Sequence, residues 1–371
     1  MQRTGVAELP LHRGRAPQWL VTRMIKLAHE ITTIVIDEYG GDEFLRRVSD
    51  PYWFQALGCV LGYDWHSSGV TTVLTGVLKN AIKPDEHGLA VCGGKGKTSR
   101  KTPEEIAQIA SQFSLTTSRI EALQYASRMS AKVDNTAIQA GYQLYHHAFF
   151  MAESGEWAVV QQGMSDQDRT ARRYHWLSEH VQNFVVEPHD AIVGDAKRES
   201  VLNMTAKESE SCRKASTDLA REKPEKLLRL LGSVRPAAQP SLQKWMPESE
   251  GKSCSVEWFS MPKTLNWKLA RRLYESQPED YEHLLSVRGV GPATVRGLAL
   301  VAELVYGAPP SWKDPVKYSF AYGGKDGLPY PVDRKAMDES TQILKNAIES
   351  ARIGNNERLK SLQRLQKYRS I

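Results

Sequence analysis

Carboxylates and imidazoles gather at four places in this 371-residue chain, each breaking a more apolar stretch. Asp64 and His66 lie in the polar island Gly62–Gly69. His146 and His147 stand before Glu153. His189-Asp190 precedes Asp195, and Glu208-Ser209-Glu210 precedes Arg213. Such side chains are the donors that hold Mg2+, Mn2+ or Zn2+. A phosphodiesterase needs a metal of this kind to offset charge on the phosphoryl oxygens and to activate water. Asp190 is expected just past a strand over Asn183–Glu187, with Glu208 joining it from the following helix and Lys207 and Arg213 reaching the phosphate. On this reading Asp64, His66, Asp190 and Glu208 hold Mg2+ or Mn2+, while Asp190, Glu208 and Lys207 carry the chemistry. Each residue also has a plain alternative. His147 reads equally as a satisfied structural histidine, and Glu210 with Arg213, three apart, as a surface ion pair.

A second pattern is the stretch LLSVRGVGPATVRGLALVAELVYG, Leu284 to Gly307. Two glycines allow a sharp turn, Pro292 suits the first turn of a helix, and Val295, Leu298, Ala299, Ala302 and Val305 give that helix one apolar face. It resembles the helix-hairpin-helix motif, which grips nucleic-acid phosphates with backbone N–H groups. Arg288, Gly289, Val290, Gly291, Thr294 and Arg296 are the expected DNA contacts. Lys95, Lys97 and Arg100 of the GGKGKTSR loop add cations. That loop is not a phosphate-binding P-loop, because the required glycine five residues before Gly96 is Val91. Base-excision glycosylases of the helix-hairpin-helix superfamily place an aspartate one helix beyond the hairpin. Asp314 stands near that place, a few residues late.

These groups need elements to hold them. Apolar spacing predicts helices over Trp19–Glu38, Asp42–Arg47, Val70–Ile82, Pro103–Phe113, Thr116–Ser130, Ala137–Met151, Thr170–His180 and Trp267–Glu275, with a basic helical tail from Arg334. Strands are expected over Glu156–Gly163 and Asn183–Glu187. Net charge is +6 with a pI near 9.0, which suits a polyanionic partner. The four cysteines are scattered, which argues against a disulfide framework. No signal peptide or run of transmembrane length is apparent, so a cytoplasmic protein without a membrane partner is expected.

The segments RTGVAELPLHRGRAPQWL, GCVLGYDWHSSGVTT, GGKGKTSRKTPEEI, YHHAFF, WAVVQQGM, PHDAIVGD and TAKESESCRKA, with the hairpin and KYSFAYGGKDGLPYPVDRKAMD, resemble the prokaryotic family of domain of unknown function 763. The resemblance spans nearly the whole chain and implies nucleic-acid metabolism, with nuclease activity the natural expectation. It assigns no catalytic residue. The expected architecture is an α+β or α/β domain over residues 1–230, a linker over 231–256 and an all-α helix-hairpin-helix domain over 257–371. The expected function is a divalent-metal-dependent DNA nuclease in repair or genome maintenance. The competing readings are a DNA-binding scaffold and a monofunctional glycosylase using Asp314. Helix-hairpin-helix modules often act in pairs, so a homodimer is expected by analogy.

Overall fold

The computed structural model describes residues 17–63, 68–167, 169–194, 197–233, 267–316, 334–351 and 354–369. Helix α1 (Gln18–Tyr39) buries Met24, Leu27, Ala28, Ile31 and Val35, a stripe at three- and four-residue spacing. It is followed by α2 (Gly41–Ser49) and α3 (Pro51–Val60). Asp50 caps α3 by accepting from Tyr52 N at 2.8 Å, and Pro51 fills the first helical position. Then come α4 (Gly69–Ala81), the single turn α5 (Pro84–His87) and strand β1 (Leu89–Lys95). A 3-10 turn (Gly96–Lys101) leads into α6 (Thr102–Gln112) and α7 (Thr117–Thr136).

The sheet follows. Strands β3 (Gln143–Ala152), β4 (Trp157–Ser165), β5 (Thr170–Leu177) and β6 (Ala191–Gly194) join β1 in the order β1-β3-β4-β5-β6, every neighbour antiparallel. Two short strands, β2 (Ile138–Gln139) and β7 (Leu202–Asn203), pair separately. Helices α8 (Glu210–Arg221), α9 (Pro224–Ser233), α10 (Trp267–Ser276), α11 (Tyr281–Ser286), α12 (Pro292–Tyr306), α13 (Arg334–Ser350) and α14 (Asn355–Arg369) complete the described chain.

Both faces of the sheet are covered. Side chains alternate along a strand, so Val91, Phe150 and Val160 enter one core while Cys92, Phe149, Val159 and Trp176 enter the other. The first core is closed by α1–α4 with α13 and α14, the second by α6–α12. Several expectations are corrected here. Ala137–Met151 and Thr170–His180 were expected as helices, yet their centres form β3 and β5. Both strands are buried on both faces, which removes the apolar–polar alternation that marks a half-exposed strand. The strand expected over Asn183–Glu187 is a series of bends. The sheet is wholly antiparallel, so the fold is mixed helix and antiparallel sheet rather than alternating α/β. The expected linker falls almost wholly outside the described residues. The cores divide by sheet face and not along the sequence: Leu284, Val295 and Leu298 share a core with α6–α9, and Leu344, Ile348 and Leu365 share one with α1–α4. Among the described residues no helix is long and apolar enough to cross a membrane.

Candidate functional site

Three doublets of polar residues sit on the central strands: His146-His147, Gln161-Gln162 and Arg172-Arg173. All are buried, the four on β4 and β5 fully. Alternation sends one member of each to each face.

On the α1–α4 face, Lys95, His146, Gln162 and Arg173 are successive cross-strand partners and form a row. Gln162 accepts from Thr71 Oγ1 and donates to Tyr145 Oη and, at 2.9 Å, to Ser68 O. The ladder slips between Leu144 and His146, so Tyr145 is a bulged residue whose hydroxyl reaches the same row. Lys95 Nζ lies 5.7 Å from the Tyr145 ring centre. Arg173 donates through Nε to His175 Nε2 at 2.9 Å and rests on the Phe54 ring at 4.7 Å.

His146 is the chemically open member. Its Nε2 is 2.8 Å from Thr75 Oγ1, and Thr75 uses its own proton on Thr71 O at 2.8 Å. His146 Nε2 therefore carries the ring proton, which leaves Nδ1 a bare acceptor, buried and with no partner. Burial first, then His147 and Lys95, push this imidazole down to about 3. It is a neutral base at physiological pH. The loop that presents Lys95 is built on glycine: Gly93 has φ +89, and a Cβ there would overlap the His147 carbonyl oxygen. Glu105 accepts from Gly93 N at 2.8 Å and pairs with Lys79 at 2.6 Å, fixing the start of the loop. Lys95, Lys97 and Arg100 are exposed beyond it.

On the opposite face Asp134, 1 % exposed, is the hub. It accepts from Trp176 Nε1 at 2.9 Å, from Gln161 Nε2 and from His189 Nε2. Gln161 Oε1 accepts from His147 Nδ1 at 2.7 Å, and His147 Nε2 accepts from Ser127 Oγ at 2.9 Å. His147 is thus a satisfied structural histidine, and burial lowers its pKa.

Of the predicted metal set, Asp190 and Glu208 lie among the described residues. Asp64 and His66 lie outside the described residues, although Ser68, which follows their loop, holds Gln162. Asp190 turns away from His189, and its Oδ1 is bonded to His180 Nδ1 while Oδ2 is buried without a partner. Burial, opposed by His180, raises its pKa. Glu208 is exposed, and Lys207 pairs with Glu187 at 3.3 Å. Among the described residues no hydrogen bond or ion pair joins Asp190 to Glu208 or Lys207. Glu210 pairs with Lys214, not with Arg213.

The sequence reading missed His29, Glu86 and His87, whose ligand atoms lie within 4.8 Å of one another. They fit a hydrogen-bonded cap better than a metal. Lys83 N donates to His87 Nδ1 at 2.9 Å, and Thr33 spends its proton on His29 O at 2.9 Å. His87 Nε2, 3.0 Å from Thr33 Oγ1, is then the donor and has no lone pair for an ion. Asp314 is also engaged. It forms a fully buried ion pair with Arg172 at 2.8 Å and accepts from Arg198 N and Val316 N. A carboxylate tied up in this way is a structural anchor, not a base open to substrate.

The turn between α11 and α12 faces outward. Gly289 has φ +100, conformationally open to glycine, and Val290 inserts into the core. Lys132 Nζ donates to Val290 O, and Arg272 Nη1 to Arg288 O, so two carbonyls of the turn are held by cations from α7 and α10. The first helical bond of α12 is Val295 N to Gly291 O at 3.0 Å. The N–H groups of Gly289, Gly291, Ala293 and Thr294 have no acceptor among the described residues. Arg288 is exposed beside them, and Arg296 is half-buried, bonded to Gln139 at 3.2 Å.

A family model described as protein of unknown function, DUF763, matches residues 5–332. No curated protein and no solved structure matches the chain significantly.

Proposed function

We propose that this chain, a member of the DUF763 family, binds DNA by gripping backbone phosphates at the α11–α12 turn. The observation that carries the reading is the polarity of that turn. Two of its carbonyls accept from Lys132 and Arg272, and four N–H groups have no acceptor among the described residues. Backbone donors at a helix start favour an oxyanion and carry no base information, so binding is sequence-tolerant and salt-dependent. Fluorescence anisotropy over a salt series tests this. The logarithm of the binding constant is expected to fall linearly with that of salt, and Arg288→Ala to lower the slope by about 1. A flat salt response, or a slope unchanged in that variant, would refute it.

A nuclease is the second reading, favoured by the row on the α1–α4 face. That row holds a buried imidazole with a bare Nδ1, whose lone pair costs about 1–3 kcal/mol when unsatisfied and is available to a ligand's donor. Mg2+ or Mn2+ is the proposed metal. Asp64, His66, Asp190 and Glu208 are its proposed holders and Lys207 the phosphate contact. Cleavage of labelled single- and double-stranded DNA with Mn2+, Mg2+ or EDTA, in wild type and Asp190→Ala, tests it. Metal-dependent cleavage lost in the variant supports the nuclease, whereas salt-sensitive binding without cleavage leaves a binding module.

A further inference from the structure

Two neighbouring arginines on α10 have different tasks. Arg271 is spent within the helix, its Nε donating to Glu275 at 2.7 Å. Arg272 reaches across to the α11–α12 turn, where its Nη1 donates to Arg288 O. Gly289 makes room for it: a Cβ there would stand 3.2 Å from Arg272 Nη1 and 3.3 Å from Leu269 Cδ1. The guanidinium is therefore seated against the turn, beside a Gly289 N–H that has no acceptor among the described residues. One nitrogen is used on the carbonyl. Nε and Nη2 make no hydrogen bond among the described residues, and Arg272 is exposed. Those two nitrogens form the edge that takes two oxygens of a phosphate.

Lys268 lies four residues before Arg272, on the same side of the helix, with about 5–6 Å between Cβ atoms at that spacing. It too is exposed. Among the described residues no carboxylate pairs with Lys268, Arg272 or Arg288. The one carboxylate on α10, Glu275, is held by Arg271. A row of donors thus starts at the N–H groups of the turn and runs through Arg272 to Lys268, with no acidic partner along it. A single phosphate group would occupy one member of such a row. A DNA strand, which carries a phosphate about every 3.4 Å along its axis, occupies them in succession.

We infer that Arg272 and Lys268 extend the phosphate grip of the turn along α10, so that the site takes successive phosphates of one continuous DNA strand. The inference rests on the DNA reading of the turn, and adds to it the residues that follow the strand and the length of strand they engage.

The test is anisotropy of a labelled DNA duplex with the full chain over a salt series. Arg272→Gln removes the charge but can still donate to Arg288 O, and Lys268→Ala breaks no bond of the turn. Each is expected to lower the salt slope by about 1, and the double variant by about 2. Arg271→Ala removes a cation from the same helix that is already paired, and is expected to leave the slope unchanged. A wild-type slope in either single variant, or an equal loss in Arg271→Ala, overturns the inference. So does a double variant that loses no more than one of its parents, because the two cations would then share one phosphate. Thermal unfolding checks that each variant is folded, and if Arg272→Gln is not, Lys268→Ala decides. Thymidine 5′-monophosphate is expected to displace the duplex at least about tenfold less well than a thymidine oligonucleotide at equal phosphate concentration. Equal displacement overturns the continuous strand. Arg288→Ala separates the two readings. A slope lowered there but not in Arg272→Gln or Lys268→Ala sinks the extension alone, whereas a flat salt response in wild type sinks both.

Discussion

Two of the three doublets, His146-His147 and Gln161-Gln162, feed polar networks on opposite faces of the sheet, and the networks end differently. Around Asp134 every polar atom of Ser127, His147, Gln161, Trp176 and His189 that is sealed in has a partner, and the network closes on itself. Across the sheet the row from Lys95 to Arg173 reaches a histidine whose Nδ1 has none. Fully satisfied buried networks specify and stiffen a core. An orphaned acceptor in an otherwise built row is what a binding or catalytic position looks like before its partner arrives. The difference separates two histidines adjacent in sequence: His147 is structural, and His146 is the candidate.

The largest effect is expected on the closed side. Asp134→Ala strips the acceptor from three buried donors and is expected to lose about 3–5 kcal/mol in urea unfolding. A loss under about 1 kcal/mol breaks the comparison, because the hub would then hold nothing together. Acid is the next probe, and it addresses the open side. The unfolded imidazole titrates near 6.5, whereas folded His146 is pushed down to about 3. Between those values the unfolded chain binds the extra proton, so stability is full above pH 6.5 and falls as pH drops toward 3. His146→Gln keeps a donor for Thr75 and cannot titrate. It is expected to reduce the slope of stability against pH in this window by about one proton, roughly 1.4 kcal/mol per pH unit. At neutral pH its cost is expected to stay below about 1.5 kcal/mol. If the nuclease reading holds, its cleavage is lost while its fold is kept, the reverse of Asp134→Ala.

Much of the scaffold was legible in the sequence, and the site was not. Helices α1, α4, α6 and α10 follow their apolar stripes closely, because each shows one face to solvent. β3 and β5 were read as helices because both of their faces are buried, which erases the alternation that marks a strand. That error hid the row. Once 143–152 is a strand, the doublets His146-His147, Gln161-Gln162 and Arg172-Arg173 must send one polar side chain into each core, and this signal was available. The pairing of Asp134 with His189, or of Arg172 with Asp314, was not. Those contacts join residues far apart in the chain, and no local spacing encodes them. The two neighbours of the His189-Asp190 pair part in the same way: His189 is bonded to Asp134 and Asp190 to His180.

A smaller effect comes from Gly93→Ala. Its positive φ and the overlap of a Cβ with the His147 carbonyl force the loop to shift, which is expected to cost more than about 1 kcal/mol. The shift moves β1 against β3 where Lys95 faces His146, so the open side should suffer and the Asp134 network should not. Hydrogen exchange of the Trp176 indole N–H, which Asp134 accepts, reads the second half of that statement.

The smallest expected change is the most discriminating. Thr75→Val keeps the shape of the residue but removes the acceptor that holds the His146 ring proton on Nε2. Its cost is expected to be about 1 kcal/mol, too little to separate the two sides by stability alone. The ring nitrogens separate them. In wild type, 15N resonances are expected to show His146 as the Nε2–H tautomer and His147 as Nδ1–H, since His147 donates to Gln161 and accepts from Ser127. Thr75→Val should release His146 to a mixture of tautomers and leave His147 unchanged. If wild-type His146 instead carries its proton on Nδ1, the bare acceptor does not exist. Thr75 would then donate to Nε2, both networks would lack an open base, and the asymmetry between the two faces of the sheet would be lost.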